Sequence, residues 1–138
     1  MILILDTDIL SLLRRPERMP QLAAWRHSID EATLFTTVVT LGEIERGIYR
    51  QRRIDPGFAE TLTEWARGIE AAFADRILDF DVAAARFWGQ LTAVRGYESA
   101  DLLIASIALS RDATVVTRNV ADFAATGARF INPLDTPP

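Results

Sequence analysis

Short apolar runs alternate with longer amphipathic segments along the chain. The first run, residues 2–5, contains no polar residue, which is typical of a strand buried on both faces of a parallel sheet. Similar segments predict four more strands, at residues 34–36, 77–80, 114–116 and 129–131. Strands that alternate with helices indicate an α/β fold, with right-handed crossovers that place helices on both faces. We therefore predict one three-layer α/β/α domain over residues 1–138, with a central parallel sheet of four or five strands.

The helices are predicted from amphipathic spacing and from residues that cap or break helices. They span residues 9–14, 21–29, 41–53, 58–75, 82–95, 100–110 and 119–124. Thr40 and Glu43 have the spacing of a capping box, which predicts that Thr40 caps the third helix. Ser99 is expected to cap the sixth helix, and the segment Asp55-Pro56-Gly57 is expected to separate the third helix from the fourth.

Four acidic residues follow strands or begin helices at the same predicted edge of the sheet. Asp6 closes the first strand, and Asp122 follows the fourth. Glu43 and Asp101 are predicted to lie in the first turns of helices that start at that edge, where the helix dipole favours negative charge. Because ligands bind beyond the carboxyl ends of parallel strands, we expect these carboxylates to surround one site.

Composition narrows the chemistry of such a site. The 138 residues include no Cys, no Lys and a single His, so thiolate and imidazole clusters are excluded. An all-oxygen ligand set suits Mg²⁺ or Mn²⁺. The net charge of -4 argues against a general nucleic-acid coating protein, but it is compatible with a nuclease whose acids bind metal. With no apolar run of about 20 residues and no basic region before the first strand, we expect a cytoplasmic protein.

Each acid also has a simpler interpretation. An acid in a first helical turn is often only a partner of the helix dipole, and Asp6 or Asp8 could cap the first helix. For Asp8, capping and an added charge in the site are both open, whereas we do not expect Asp6, which follows an entirely apolar strand, to be merely a cap. Helix spacing alone does not separate Glu43 from Glu45, because both lie outside the apolar stripe of the third helix.

Four blocks of the sequence resemble, in order, the conserved blocks of the PIN-domain family, and in particular its VapC-type toxins and FitB-like relatives. They read ILDTDILS, TLGEIERGI, SADLLIASIA and VVTRNVADFAATGARFINP. The resemblance implies a Mg²⁺- or Mn²⁺-dependent ribonuclease, usually a homodimer, which a small antitoxin holds inactive. By motif it assigns to the site the acids Asp6, Glu43 (not Glu45), Asp101 and Asp122, with Thr117 and Asn119 beside the metal.

The resemblance also suggests a division of roles. Asp6 and Asp101 are expected to bind the metal directly, Glu43 to bind it or to orient the attacking water, and Asp122 to act on a second metal or through water. A pocket of acids is also expected to receive an Arg from the antitoxin, since a guanidinium binds carboxylates in a bidentate way. The chain departs from the family at Asp8, where Asn is usual, and in a shorter segment at residues 96–100.

Three arginines are candidates for contacts with RNA. Arg46 and Arg50 follow Glu43 along the third helix, and Arg118 precedes Asn119 in the fourth block. Guanidinium groups suit phosphate oxygens, although a solvated helix face is the simpler explanation of such residues.

Two other functions fit parts of the pattern. A haloacid-dehalogenase-type phosphohydrolase would use Asp6 as nucleophile and Asp8 as acid, but that chemistry normally needs a Lys, which this chain lacks. A non-catalytic PIN domain that only binds partners is the second alternative, and the presence of all four acids argues against it.

Overall fold

Five short parallel strands form the centre of the molecule. The computed structural model describes residues 1–96 and 98–135. The strands are β1 Leu3–Leu5, β2 Leu34–Thr37, β3 Ile77–Leu78, β4 Thr114–Val116 and β5 Arg129–Ile131, in the spatial order β3-β2-β1-β4-β5. In register, Leu3 pairs with Leu34 on one side and with Thr114 on the other. All pairings are parallel, which confirms the predicted sheet.

Helices cover both faces of the sheet and complete the three layers. They are α1 Thr7–Leu13, α2 Pro20–Ser28, α3 Val38–Ile54, α4 Pro56–Ala72, α5 Val82–Arg95, α6 Ala100–Arg111 and α7 Val120–Ala124. Single 3-10 turns at Pro16–Arg18 and Glu31–Thr33 lie on either side of α2. None of the helices in the described residues is long and apolar enough to cross a membrane.

The side chains of β1 alternate between two hydrophobic cores. Leu3 and Leu5 pack with α1, α3 and α4 on one face, whereas Ile4 packs with α6 and α7 on the other. All three are at most 5% exposed, so β1 is buried on both faces. A fully buried Leu or Ile side chain contributes roughly 1.5–3 kcal/mol to folding, which explains why this strand has no polar position before Asp6.

The start of α3 differs from the prediction. The strand β2 continues into the helix without a loop, so its last residue, Thr37, is the N-cap, and its hydroxyl accepts a hydrogen bond from the backbone N–H of Thr40 at 3.2 Å. The prediction that Thr40 caps α3 is therefore wrong, and so is the capping box with Glu43. Glu43 lies in the second turn, and the dipole argument for it does not hold.

The boundaries of two other elements, α4 and β3, also differ from the prediction. Helix α4 begins at Pro56 instead of Phe58 and ends at Ala72, three residues before the predicted end. Asp55 caps it by accepting a hydrogen bond from the backbone N–H of Phe58 at 3.1 Å, and Pro56 tolerates the first helical position because no hydrogen bond is required of its nitrogen there. Strand β3 is two residues long instead of four.

The strand order places a crevice beside β1. From β1 the chain builds β2 and β3 on one side and then crosses to build β4 and β5 on the other. The carboxyl ends of β1 and β4 therefore flank the point where the winding reverses, which is where ligands bind in open parallel sheets. Asp6 follows β1 and Thr117 follows β4 at this point, and the backbone N–H of Asp6 donates to the carbonyl of Val116 at 3.1 Å.

Candidate active site

Asp6 is the most deeply buried acid of the site. The residue is 3% exposed, and its carboxylate caps α1 by accepting a hydrogen bond from the backbone N–H of Ile9 at 2.9 Å. Burial raises the pKa of Asp6 from 3.8 to about 6; hydrogen bonds from Thr117 and Ile9 oppose this shift, and the nearby charges of Asp8 and Asp101 add to it. The fold therefore holds a carboxylate where its negative charge is poorly solvated, and a cation would relieve that cost.

The structure shows which of the two acids caps α1. Asp6 is both the cap of α1 and a member of the acid cluster, whereas Asp8 lies in the first turn of α1 with its side chain half exposed. The carboxylate of Asp8 instead makes a bidentate ion pair with Arg118, with Oδ2 2.8 Å from Nε and Oδ1 3.2 Å from Nη2.

Asp101 lies in the first turn of α6, as predicted, and Ser99 caps that helix. The side-chain amide of Asn119 donates to Oδ2 of Asp101 and to Oδ2 of Asp122, both at 2.7 Å. Burial raises the pKa of Asp101, while the bond from Asn119 lowers it, and the charges of Asp122 and Glu43 raise it further. Asp122 and Glu43 therefore lie near enough to Asp101 for their charges to act on it.

Glu43 reaches the site from the second turn of α3. It accepts a hydrogen bond from the hydroxyl of Thr7, and its Oε2 lies 3.4 Å from Nη2 of Arg46. The hydroxyl of Thr7 also lies 3.1 Å from that of the buried Thr40. Glu45 faces another way and pairs with Arg67 at 3.4 Å, so the structure separates the two glutamates where helix spacing could not.

The side chains of the site line a cleft of about 470 Å³. Its lining consists of Asp6, Thr7, Asp8, Ser11, Glu43, Asp101, Arg118 and Asn119. Asp122 adjoins it through Asn119, and Thr117 lies beneath it. Two of the lining residues, Thr7 and Ser11, are not among the predicted site residues, although Thr7 follows Asp6 directly in the sequence; for Asp8 the sequence left a role in the site open.

The donor chemistry of the cleft suits a hard divalent cation. Carboxylate, hydroxyl and amide oxygens are available, and the like charges need compensation. Within residues 1–96 and 98–135, however, no group of three or more Asp, Glu or His side chains is close enough together to hold a metal ion as the side chains lie. Mg²⁺ does not require three such side chains, since it is usually bound by one or two carboxylates and retains several waters.

Of the three arginines predicted to contact RNA, one lines the cleft, one lies at its edge and one lies outside it. Arg118 lines it directly. Arg46 pairs with Glu43 at its edge, and Arg50 is exposed farther along α3, in a separate surface groove with Tyr49.

The fold and the cleft define an α/β protein with an acidic site at the switch point of a parallel sheet. A family model for the PIN domain matches residues 3–128, and the chain belongs to this family. The membership disfavours the haloacid-dehalogenase alternative and confirms the resemblance of the four sequence blocks.

Known relatives and a solved structure agree with this family. Over 83 residues the chain is 41% identical to Ribonuclease VapC14 of Mycobacterium tuberculosis, covering 60% of this chain and 74% of the relative. Over 137 residues it is 28% identical to Toxin FitB of Neisseria gonorrhoeae, covering 95% and 97% of the two chains. The fold superposes on a chain of FitAB bound to a DNA fragment with a TM-score of 0.84 at 27% identity, covering 99% of each chain.

Proposed function

We propose that this chain is a divalent-metal-dependent endoribonuclease and the toxin of a toxin–antitoxin pair, acting in the cytoplasm. The observation that carries the proposal is the convergence of acids from distant segments on one cleft. Asp6 comes from the end of β1, Glu43 from α3 and Asp101 from α6, and all three line it. Relatives named as a ribonuclease and as a toxin support the same activity.

We assign the metal to the inner part of the cleft. Asp6 and Asp101 are the proposed direct ligands, because burial raises the pKa of both and the charge of Asp101 raises the pKa of Asp6 further. Asp122 accepts a hydrogen bond from the same Asn119 amide as Asp101. It is proposed to act on a second metal or through water. Thr117 supports Asp6 from below.

The chain's own groups divide the remaining work. When bound, Mg²⁺ or Mn²⁺ supplies Lewis-acid stabilisation of the charge that develops on the phosphodiester. The chain has no Lys, and its single His, His27, is exposed and does not line the cleft. The proposed proton acceptors of the cleft are therefore carboxylates. Glu43, which accepts a hydrogen bond from Thr7 and whose side chain is 24% exposed, is the proposed acceptor of the proton of an attacking water.

Cleavage of total cellular RNA tests this function. The wild type is expected to cut RNA in Mg²⁺ or Mn²⁺ and to lose this activity in EDTA. Asp6→Asn keeps the shape of the side chain but removes a charged ligand, so we expect a large loss of rate. Glu45→Gln is the matched control, because Glu45 is an acid of the same helix as Glu43 that contacts Arg67 instead of the cleft. Full activity of Asp6→Asn, or full activity of the wild type in EDTA, would reject the metal mechanism.

The proposed antitoxin inhibits by inserting an Arg into the cleft. Asp6, Glu43 and Asp101 offer it carboxylates that Arg118 does not occupy, because Arg118 is paired with Asp8. A double variant, Asp6→Ala with Asp101→Ala, is expected to bind the antitoxin more weakly than the wild type in a pull-down titration. Equal affinity would show that the cleft is not the main contact.

We also propose that the toxin is a homodimer. Apolar side chains remain exposed on α5, where Val82 and Val94 are 69% and 87% exposed, in keeping with a surface that a second copy covers. Sedimentation at micromolar concentration without antitoxin is expected to give a dimer, and a monomer would reject this proposal.

A further inference from the structure

One ion pair at the rim of the cleft joins segments 110 residues apart in the sequence. Asp8 belongs to the first turn of α1, and Arg118 belongs to the loop that follows β4. Their two hydrogen bonds, at 2.8 and 3.2 Å, fix the orientation of the guanidinium relative to the carboxylate. Both side chains line the cleft beside Asp6 and Asp101. The pair is therefore part of the wall of the cleft.

The bidentate contact leaves part of Arg118 free. The guanidinium has five N–H donors, and Asp8 uses one on Nε and one on Nη2. The remaining donors, on Nη1 and Nη2, form the other edge of the fork, which matches two oxygens of a phosphate. The Arg118 side chain is 43% exposed, and it lines the cleft.

We propose that Asp8 is a positioning residue that fixes Arg118 so that its free edge binds a backbone phosphate of the RNA next to the acids. This inference rests on the proposed ribonuclease function. Without Asp8, the long side chain of Arg118 would move among many rotamers at a solvated rim, and each phosphate contact would require it to be ordered again. Asp8 supplies this order before the substrate binds.

The direction in which Asp8→Asn changes RNA affinity distinguishes positioning of Arg118 from simple charge repulsion. Asp8 is itself negative and lies beside the proposed phosphate site, so by charge alone Asp8→Asn should strengthen RNA binding. If Asp8 acts through Arg118, the same substitution should weaken RNA binding. In a background of Arg118→Gln the positioning effect is gone, and Asp8→Asn should then strengthen binding or leave it unchanged. Helix α1 keeps its cap in all these variants, because Asp6 provides it.

The experiment measures binding and cleavage separately. Binding of a fluorescein-labelled, mixed-sequence RNA oligonucleotide is followed by anisotropy in Ca²⁺, at several salt concentrations. The rate constant kcat and KM are measured in Mn²⁺ on RNA that the wild type cuts. The matched control is Arg111→Gln, which breaks a pair of similar exposure at the far end of α6, between Arg111 and Asp81 at 3.5 Å. Thermal melting checks that each variant is folded.

Asp8→Asn should raise Kd and KM about two- to fivefold, the range expected for ordering a solvent-exposed pair, with little change in kcat. Arg118→Gln should raise Kd at least as much and reduce the salt slope of log Kd by about 0.7, the value for one phosphate contact to a single strand. Arg111→Gln should match the wild type. Unchanged or tighter binding by Asp8→Asn with Arg118 present would overturn the inference, whether or not RNA is cut. Failure of the wild type to cut RNA, with these binding effects intact, would instead count against the proposed function.

Discussion

Nδ2 of Asn119 lies 2.7 Å from Oδ2 of Asp101, and the same nitrogen lies 2.7 Å from Oδ2 of Asp122. One neutral amide thus donates to both carboxylates. A positively charged side chain would be the obvious alternative for stabilising two acids at this position. Both N–H groups of the amide are used, which fixes the orientation of the side chain and the distance between the two acids. The amide therefore keeps two like charges together in the fold.

Asn119→Asp should reveal this role through stability. The substitution replaces a donor with a third negative charge beside Asp101 and Asp122, so we expect the metal-free protein to lose about 1 kcal/mol of unfolding free energy at neutral pH, a value limited by solvent exposure. Urea denaturation in EDTA measures this loss. Asn132→Asp is the control, because Asn132 only accepts a hydrogen bond, from the backbone N–H of Leu134, and an Asp can do the same. Equal stability of the two variants would show that the Asn119 contacts contribute nothing.

The raised pKa of Asp6 predicts an unusual dependence of stability on pH. Since its pKa is about 6 in the folded protein and 3.8 normally, the native state binds more protons than the unfolded state between these values. The contribution of Asp6 to the free energy of unfolding is therefore fully present at low pH. It falls by at most about 3 kcal/mol as the pH rises through 6. Asp6→Asn keeps an acceptor for the cap but cannot titrate.

Chemical denaturation of the metal-free proteins from pH 4 to pH 7 measures this effect. The unfolding free energy of Asp6→Asn, relative to that of the wild type, should rise with pH across this interval and become constant above it. A relative stability of Asp6→Asn that is independent of pH would mean that burial does not raise the pKa of Asp6.

Much of the fold could be predicted because buried parallel strands leave a direct pattern. Residues 2–5 were predicted as a strand for their apolar run, and the structure confirms it with Leu3 to Leu5 buried on both faces. Local hydrogen bonding was harder to predict. Thr37 and Thr40 are both plausible caps, and the choice depends on where β2 stops pairing with β3, which is a tertiary property.

Two substitutions in α3 distinguish the observed cap from the predicted one. Thr37→Ala removes the oxygen that accepts the hydrogen bond from Thr40, so it should lower stability by about 1 kcal/mol. Thr40→Val keeps the shape and leaves the Thr37 cap in place. We expect thermal melting to show a smaller loss for Thr40→Val than for Thr37→Ala, whereas the reverse order would support the capping box predicted from sequence.

The acids could be predicted to share one edge, but their partners could not. Topology alone places the ends of β1 and β4 and the start of α6 together, which brings Asp6 close to Asp101. The pairing of Asp8 with Arg118 depends on side-chain reach across 110 residues and has no local signal. The hydroxyl of Thr7 reaches Glu43 for the same reason, through the packing of α1 against α3.

Direct measurement of Mn²⁺ binding tests the central claim, that Asp6 and Asp101 hold the catalytic metal. In calorimetric titrations the wild type should bind Mn²⁺, and Asp101→Asn should bind it at least about tenfold more weakly, because hard cations depend on the charge of their ligands. Glu45→Gln, whose side chain lies outside the cleft, should bind Mn²⁺ as the wild type does. Wild-type affinity for Mn²⁺ in Asp101→Asn would contradict the assignment of the metal to this cleft.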